Sequence, residues 1–191
     1  NGVPVFDTDI TPEDHIPCGY SGICSNGKML LLSTVCRKNG GDMIYTSTDS
    51  GESWKIIMNG LEYSRFDWNI PYMKPRYNGG GNCVHWISDI KLSPFDSDTA
   101  LFNTGTGLFM ITGLASGDVL VKPFCEGIEE TVHLNVYTTP HGRNRIIDII
   151  GDLGGFAFED YDSECENSFA NEKGDRYITC LNADLTLSDP E

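Results

Sequence analysis

The chain has 191 residues, 39% of them apolar and 10% aromatic; a domain of about 100–200 residues with that content builds a packed core, so a disordered chain is excluded. Twenty-eight acidic residues stand against 13 basic ones, a formal charge of -15. That balance excludes nucleic acid, which demands a basic face to displace counterions, and leaves a neutral polymer such as a polysaccharide unopposed. No apolar stretch approaches the ~18 residues of a membrane helix, so no membrane partner is expected.

The predicted elements in chain order are almost all strand and turn. KMLLLSTV (28–35), DMIYTST (42–48), SWKII (53–57), WISDIKL (86–92), ALFNT (100–104), GLFMIT (107–112), VHLNVYTT (132–139), RIIDII (145–150) and GFAFE (155–159) are short and rich in β-branched and aromatic residues. NGG, TDSG, SPFDSD, TGTG, PHG and DLGG punctuate them as turns. No segment holds a helical period with a cap and a stop. The expectation is an all-β chain of successive hairpins: a sandwich, a barrel or propeller blades. Asn1 leads into GVPVFDTDIT without a charged and then apolar run, so either a signal peptide has been removed or the natural chain begins elsewhere.

Residues 42–57 choose among these. Ser47, Asp49, Gly51 and Trp54 follow the pattern S-x-D-x-G-x-[ST]-W between two apolar strands, which resembles the Asp-box hairpin of sialidase-like β-propellers. The aspartate can accept turn amides, the glycine permits positive φ, and the tryptophan can anchor the hairpin in a core. Such boxes serve structure and lie away from the active centre. At ~40–45 residues per blade, the chain holds about four blades, too few to close a seven-bladed ring without exposed edges. It is therefore expected to be part of a larger protein.

Three further stretches, HWISDIKLSPFDSDTALFNTGTGLFMIT (85–112), GIEET (127–131) and TTPHGRNRIIDIIGDLGGFAFEDYD (138–162), appear in the order found in the xyloglucan-hydrolase family, glycoside hydrolase family seventy-four. The opening DITPEDHIPCGYSGI (9–23) resembles that family's lead-in without its tryptophan. The resemblance implies two tandem seven-bladed propellers and inverting hydrolysis of the β-1,4-glucan backbone of xyloglucan. Residues 1–115 would be the final blades of the first propeller and 116–191 the start of the second, crossing near the turn-rich 113–127. The aspartate of G-D-x-G-G-F is the family's general acid, and Asp152 matches it; no second such motif supplies the general base here. The remaining blades would come from the same precursor or another chain, and the protein would be extracellular.

Inversion uses two carboxyl groups, about 6.5–9.5 Å apart, one protonating the leaving oxygen and one activating water. Asp152 would be held neutral by partial burial against Leu153 and Phe156, with Gly154 and Gly155 making room for the sugar chain. Read without the resemblance, the same residues are a turn aspartate and hairpin glycines. Trp68, Tyr72, Tyr77 and Trp86 are candidate sugar platforms. The first three sit in the long segment 61–83, whose length favours function; Trp86 sits in a predicted strand, where core packing competes. Arg76 and His85 are candidate polar contacts. His85, His133 and His141 show no metal spacing, and neither a metal nor a cofactor is expected. Glu129 and Glu130 are adjacent in a strand-like run and face opposite ways.

The competing reading is a non-catalytic Asp-box propeller of the sortilin or adhesion type, which would have no chemical use for GDLGGF with GIEET upstream. Seven cysteines without zinc spacing favour disulfides in an oxidising compartment over small buried hydrophobes, with one thiol left over.

Overall fold

A computed structural model describes residues 16–37, 41–60, 66–67, 70, 84, 86–128, 131–164 and 168–184. They contain eleven strands and no helix, as the all-β expectation required. β1 (Gly19–Ser25), β2 (Leu30–Val35), β3 (Met43–Ser47) and β4 (Lys55–Asn59) form one four-stranded sheet in chain order. β5 (Asp89–Leu92), β6 (Ala100–Thr104), β7 (Gly107–Thr112) and β8 (Leu120–Pro123) form a second. β9 (Val132–Thr138), β10 (Ile146–Gly151) and β11 (Gly154–Phe158) form a three-stranded third. Every pairing between successive strands is antiparallel. The described residues fall into two compact units, one up to Asp67 and from Val84 to Gly127, the other Ile70 and Ile128 onward.

Three departures from the sequence reading have local causes. β1 lies within GYSGICS, whose two glycines and small polar residues mask its strand character, and β8 is a four-residue edge ending in proline. β8 takes its place because its alternate residue Val121 is fully buried and pairs with Ile111. Trp86 lies outside β5 rather than in a strand: its φ is 61° and its side chain is exposed.

Burial explains the sheets of the first unit. Leu31, Leu32, Ser33 and Thr34 are all buried, so β2 is covered on both faces. Leu32, Met43 and Tyr45 make one apolar cluster with Trp54 packed against it. In the second sheet the register sets Ile90 beside Phe102 and Phe102 beside Phe109. The two phenylalanine rings stack with centroids 5.2 Å apart. β5 packs against β1 and β2. A Cβ at Gly22 would lie 2.7 Å from the amide nitrogen of Ile90, so only glycine allows that approach.

Asp42 ties the two sheets of this unit together. Fully buried, its carboxylate accepts from the Thr34 hydroxyl (3.2 Å), the Arg37 amide (3.1 Å) and the Ile87 amide (3.1 Å). Its own amide donates to the Val84 carbonyl (2.8 Å), and its carbonyl accepts from Gly60 (2.9 Å). A buried carboxylate survives only with its lone pairs occupied, and this one is served by three donors from two segments.

In the second unit, Ile150, Leu153 and Phe156 form a core that Phe158 joins. Residues 168–179 fold back onto β11: Phe169 donates to the Gly155 carbonyl and Gly154 to the Ile178 carbonyl, both at 2.9 Å. β9 is an edge strand whose Val132, Leu134 and Val136 are exposed.

Cys24, Cys36 and Cys180 are free thiols, against the disulfide expectation. Cys24 pairs with Leu31 across the sheet, so no second sulfur faces it there, and burial pushes its thiol pKa up. Cys83 and Cys165 lie outside the described residues.

Candidate functional site

In an antiparallel meander the turns after strands one and three share one end of the sheet, and the turn after strand two lies at the other. Ser47, Asp49, Gly51 and Trp54 occupy the third-to-fourth turn of the first sheet. Asp152 occupies the second-to-third turn of its own sheet. The two aspartates thus stand at opposite kinds of sheet end, and their surroundings differ accordingly.

Asp49 is exposed but bonded throughout to its own turn. It accepts from the Ser53 amide (2.9 Å), the Ser53 hydroxyl (2.5 Å) and the Ser47 hydroxyl (2.8 Å). These bonds, the Ser53 hydroxyl foremost, lower its pKa to about 2. Gly51 has φ 93° and donates to Ser47, while the Trp54 indole donates to the Gly51 carbonyl (3.1 Å). Every polar group of the motif is spent on holding the hairpin.

Asp152 is the reverse case. Its backbone has φ 63°, uncommon for a residue with a side chain, and its amide donates to the Thr179 hydroxyl at 3.0 Å. The side chain is exposed, and its carboxylate accepts no hydrogen bond among the described residues. The expected burial against Leu153 and Phe156 is not present, because both turn into the core with Ile150.

The glycines that follow also have a different task from the one expected. A Cβ at Gly154, where φ is 80°, would meet the Tyr177 carbonyl oxygen at 2.6 Å. At Gly155 it would meet the Asp148 carbonyl oxygen at 2.5 Å and the Phe169 ring at 2.8 Å. Both are buried, and the space is filled by the chain itself.

Trp86 is 58% exposed, with its ring edge against Gly105 in the β6–β7 turn. Core packing is thereby ruled out for it, and an accessible aromatic surface remains. Trp68, Tyr72, Tyr77, Arg76, His85, Glu129 and Glu130 lie outside the described residues. Among the described residues no cluster of three metal-ligating side chains occurs.

Sequence reasoning passed over one group near Asp152. Asp148, buried in the middle of β10, is bound by His133 Nδ1 at 2.9 and 2.8 Å from its two oxygens. His133 Nε2 lies 2.7 Å from the Thr131 hydroxyl. The available signal was an aspartate inside the apolar run RIIDII, which in a buried strand requires a partner. The depression of about 460 Å³ lined by Arg143, Glu159, Asp160 and Glu164 among others belongs to the opposite end of this sheet from Asp152.

No family model matches the chain. Among curated proteins it is 28% identical to a xyloglucanase of Acetivibrio thermocellus, over 80% of this chain and 21% of that protein. It is 25% identical to an oligoxyloglucan-reducing end-specific xyloglucanase of Emericella nidulans, over 82% of this chain and 24% of that one. The chain thus spans about a fifth to a quarter of the length of these relatives. Among solved structures it resembles the GH74 xyloglucanase of Xanthomonas campestris, with a TM-score of 0.68 and 23% identity over 85% of this chain and 22% of that one. The GH74 enzyme of Niastella koreensis gives 0.61 and 21% over 78% of this chain and 22% of that one. The resemblance carried by the motifs is therefore met twice: the chain is similar in sequence to xyloglucanases and shares the all-β fold of GH74 enzymes across most of its length.

Proposed function

We propose that this chain is part of a secreted glycoside hydrolase that cleaves the β-1,4-glucan backbone of xyloglucan with inversion, and that Asp152 is its general acid. The observation that carries the reading is the contrast between the two turn aspartates. Both are exposed, but the Asp49 oxygens are taken up by its own turn, whereas the Asp152 carboxylate accepts no hydrogen bond among the described residues. A turn aspartate whose carboxylate takes no part in holding its turn is available to act on a ligand.

In this reading the Asp152 carboxyl protonates the glycosidic oxygen as the C–O bond breaks, and a second carboxylate removes a proton from the attacking water. That base comes from the rest of the protein. Burial that keeps Asp152 protonated would be completed there as well, since Leu153 and Phe156 do not supply it. The exposed apolar residues of β9 fit an edge covered by further blades. A polymeric substrate places the enzyme outside the cell. Trp86, exposed beside the β6–β7 turn, is a sugar-stacking surface. The two compact units are assigned to two successive propellers.

Asp152→Asn in the complete protein tests the assignment. The amide is isosteric and leaves the Thr179 bond to the backbone untouched. Turnover of xyloglucan is expected to fall ~10²–10⁴-fold, with a smaller loss on substrates whose leaving group is strongly acidic. Retention of most wild-type turnover would reduce Asp152 to a turn residue. Binding of xyloglucan without turnover by the unaltered protein would favour a binding propeller instead.

A further inference from the structure

The chain Asp148–His133–Thr131 is an expensive arrangement for stability alone. Asp148 is 8% exposed and stands two residues before Ile150 on β10; its cross-strand partner on β11 is Phe156. A buried carboxylate costs stability that an apolar residue in its place would not, and the His133 ring that satisfies it is itself 53% exposed. The sheet is also distorted to make the pair. Asp148 is level with Val136 and Ile149 with Asn135, but Ile150 is level with His133, so Leu134 is an extra residue on β9. Without that bulge Leu134 would stand opposite Ile150, and the histidine would be shifted to the other face. Bulges that re-aim one side chain occur at sheet edges, as here, and beside active sites.

The hydrogen bonds have a direction. The Asp148 carboxylate only accepts, so His133 Nδ1 carries the proton that faces it. In the neutral imidazole Nε2 is then an acceptor, and the Thr131 hydroxyl donates to it over 2.7 Å. In that tautomer the hydroxyl is held in one rotational setting, and its oxygen accepts no hydrogen bond among the described residues. Thr131 also has a defined place. Val132 pairs with Gly151 as the last pair of this ladder, and Thr131 and Asp152 are the residues next beyond it on the two chains.

We propose that Thr131 is a substrate-binding residue of the Asp152 site, accepting a hydrogen bond from a hydroxyl of a neutral sugar. His133 and Asp148 are positioning residues that orient it. This rests on the functional reading above and adds to it a specificity contact for glycan hydroxyl groups.

The test uses the complete protein with a xyloglucan oligosaccharide as ligand. Thr131→Val preserves shape and removes the hydroxyl. It is expected to raise Kd and KM about three- to tenfold, the worth of one neutral hydrogen bond, at unchanged Tm. Thr131→Ser should restore wild-type binding. His133→Phe should raise KM as Thr131→Val does and also lower Tm, because it orphans Asp148. Wild-type binding by Thr131→Val, or failure of Thr131→Ser to restore it, overturns the proposal while leaving Asp152 untouched. If the unaltered protein neither binds nor cleaves the oligosaccharide, the functional reading falls, and this proposal falls with it.

Discussion

Replacing Asp42 probes the bridge between the two sheets of the first unit. Its carboxylate satisfies two backbone amides, Arg37 and Ile87, besides the Thr34 hydroxyl, which can turn elsewhere. A buried donor left unsatisfied costs about 1–3 kcal/mol. Asp42→Asn keeps one carbonyl oxygen and sets an NH2 group against one of the two amides, so one donor is orphaned. Asp42→Ala orphans both, for about 2–6 kcal/mol. Native-state hydrogen exchange reads this locally, without requiring the whole protein to unfold in one step. Amides of β2, β3 and β5 should lose protection by roughly tenfold for each 1.4 kcal/mol, with the alanine variant losing about the square of the asparagine factor. Equal protection in the two variants, or asparagine indistinguishable from wild type, would refute the claim that Asp42 is held by two separate amides.

Three other expectations are independent of this one. The Asp49 pKa is lowered from 3.8 to about 2 in the folded hairpin, so its contribution is complete above the unfolded value near 3.8 and is lost as pH falls through about 2. Trp54 fluorescence should therefore report loosening of residues 43–59 below pH 4, and Asp49→Asn should remove that pH dependence; an unchanged acid transition would count against the turn bonds. Gly154→Ala forces a side chain onto φ 80° and against the Tyr177 carbonyl at 2.6 Å, costing at least about 1–2 kcal/mol for the backbone alone. Limited proteolysis should then cut within 168–179, and a variant as resistant as wild type would show that this segment does not pack there. Phe102→Ala removes a buried ring stacked on Phe109 and should destabilise the first unit by about 3–5 kcal/mol, measurable as accelerated exchange of β6 and β7 amides; a loss under 1 kcal/mol would contradict the stacking.

Strand content was legible because it depends on local pattern. KMLLLSTV and GLFMIT announce themselves through β-branched and apolar runs, and S-x-D-x-G-x-S-W carries its own hydrogen-bonding partners within eight residues. Asp152 too was legible, since a short motif places it in a turn. β1 and β8 were not, because GYSGICS and LVKP become strands through pairing with β2 and β7, which lie elsewhere in the sequence. The purpose of Gly154 and Gly155 was hidden for the same reason. Besides the Asp148 carbonyl on the neighbouring strand, what fills their space is Tyr177 and Phe169, which are more than ten residues away and arrive only by chain reversal. His133 and Asp148 are fifteen residues apart, and a one-residue bulge decides whether they meet. Local sequence thus determined most of the strands and the turn that carries Asp152. Register and packing decided which side chains face one another, because a hydrogen bond or a steric contact between distant residues exists only once the backbone has brought them together.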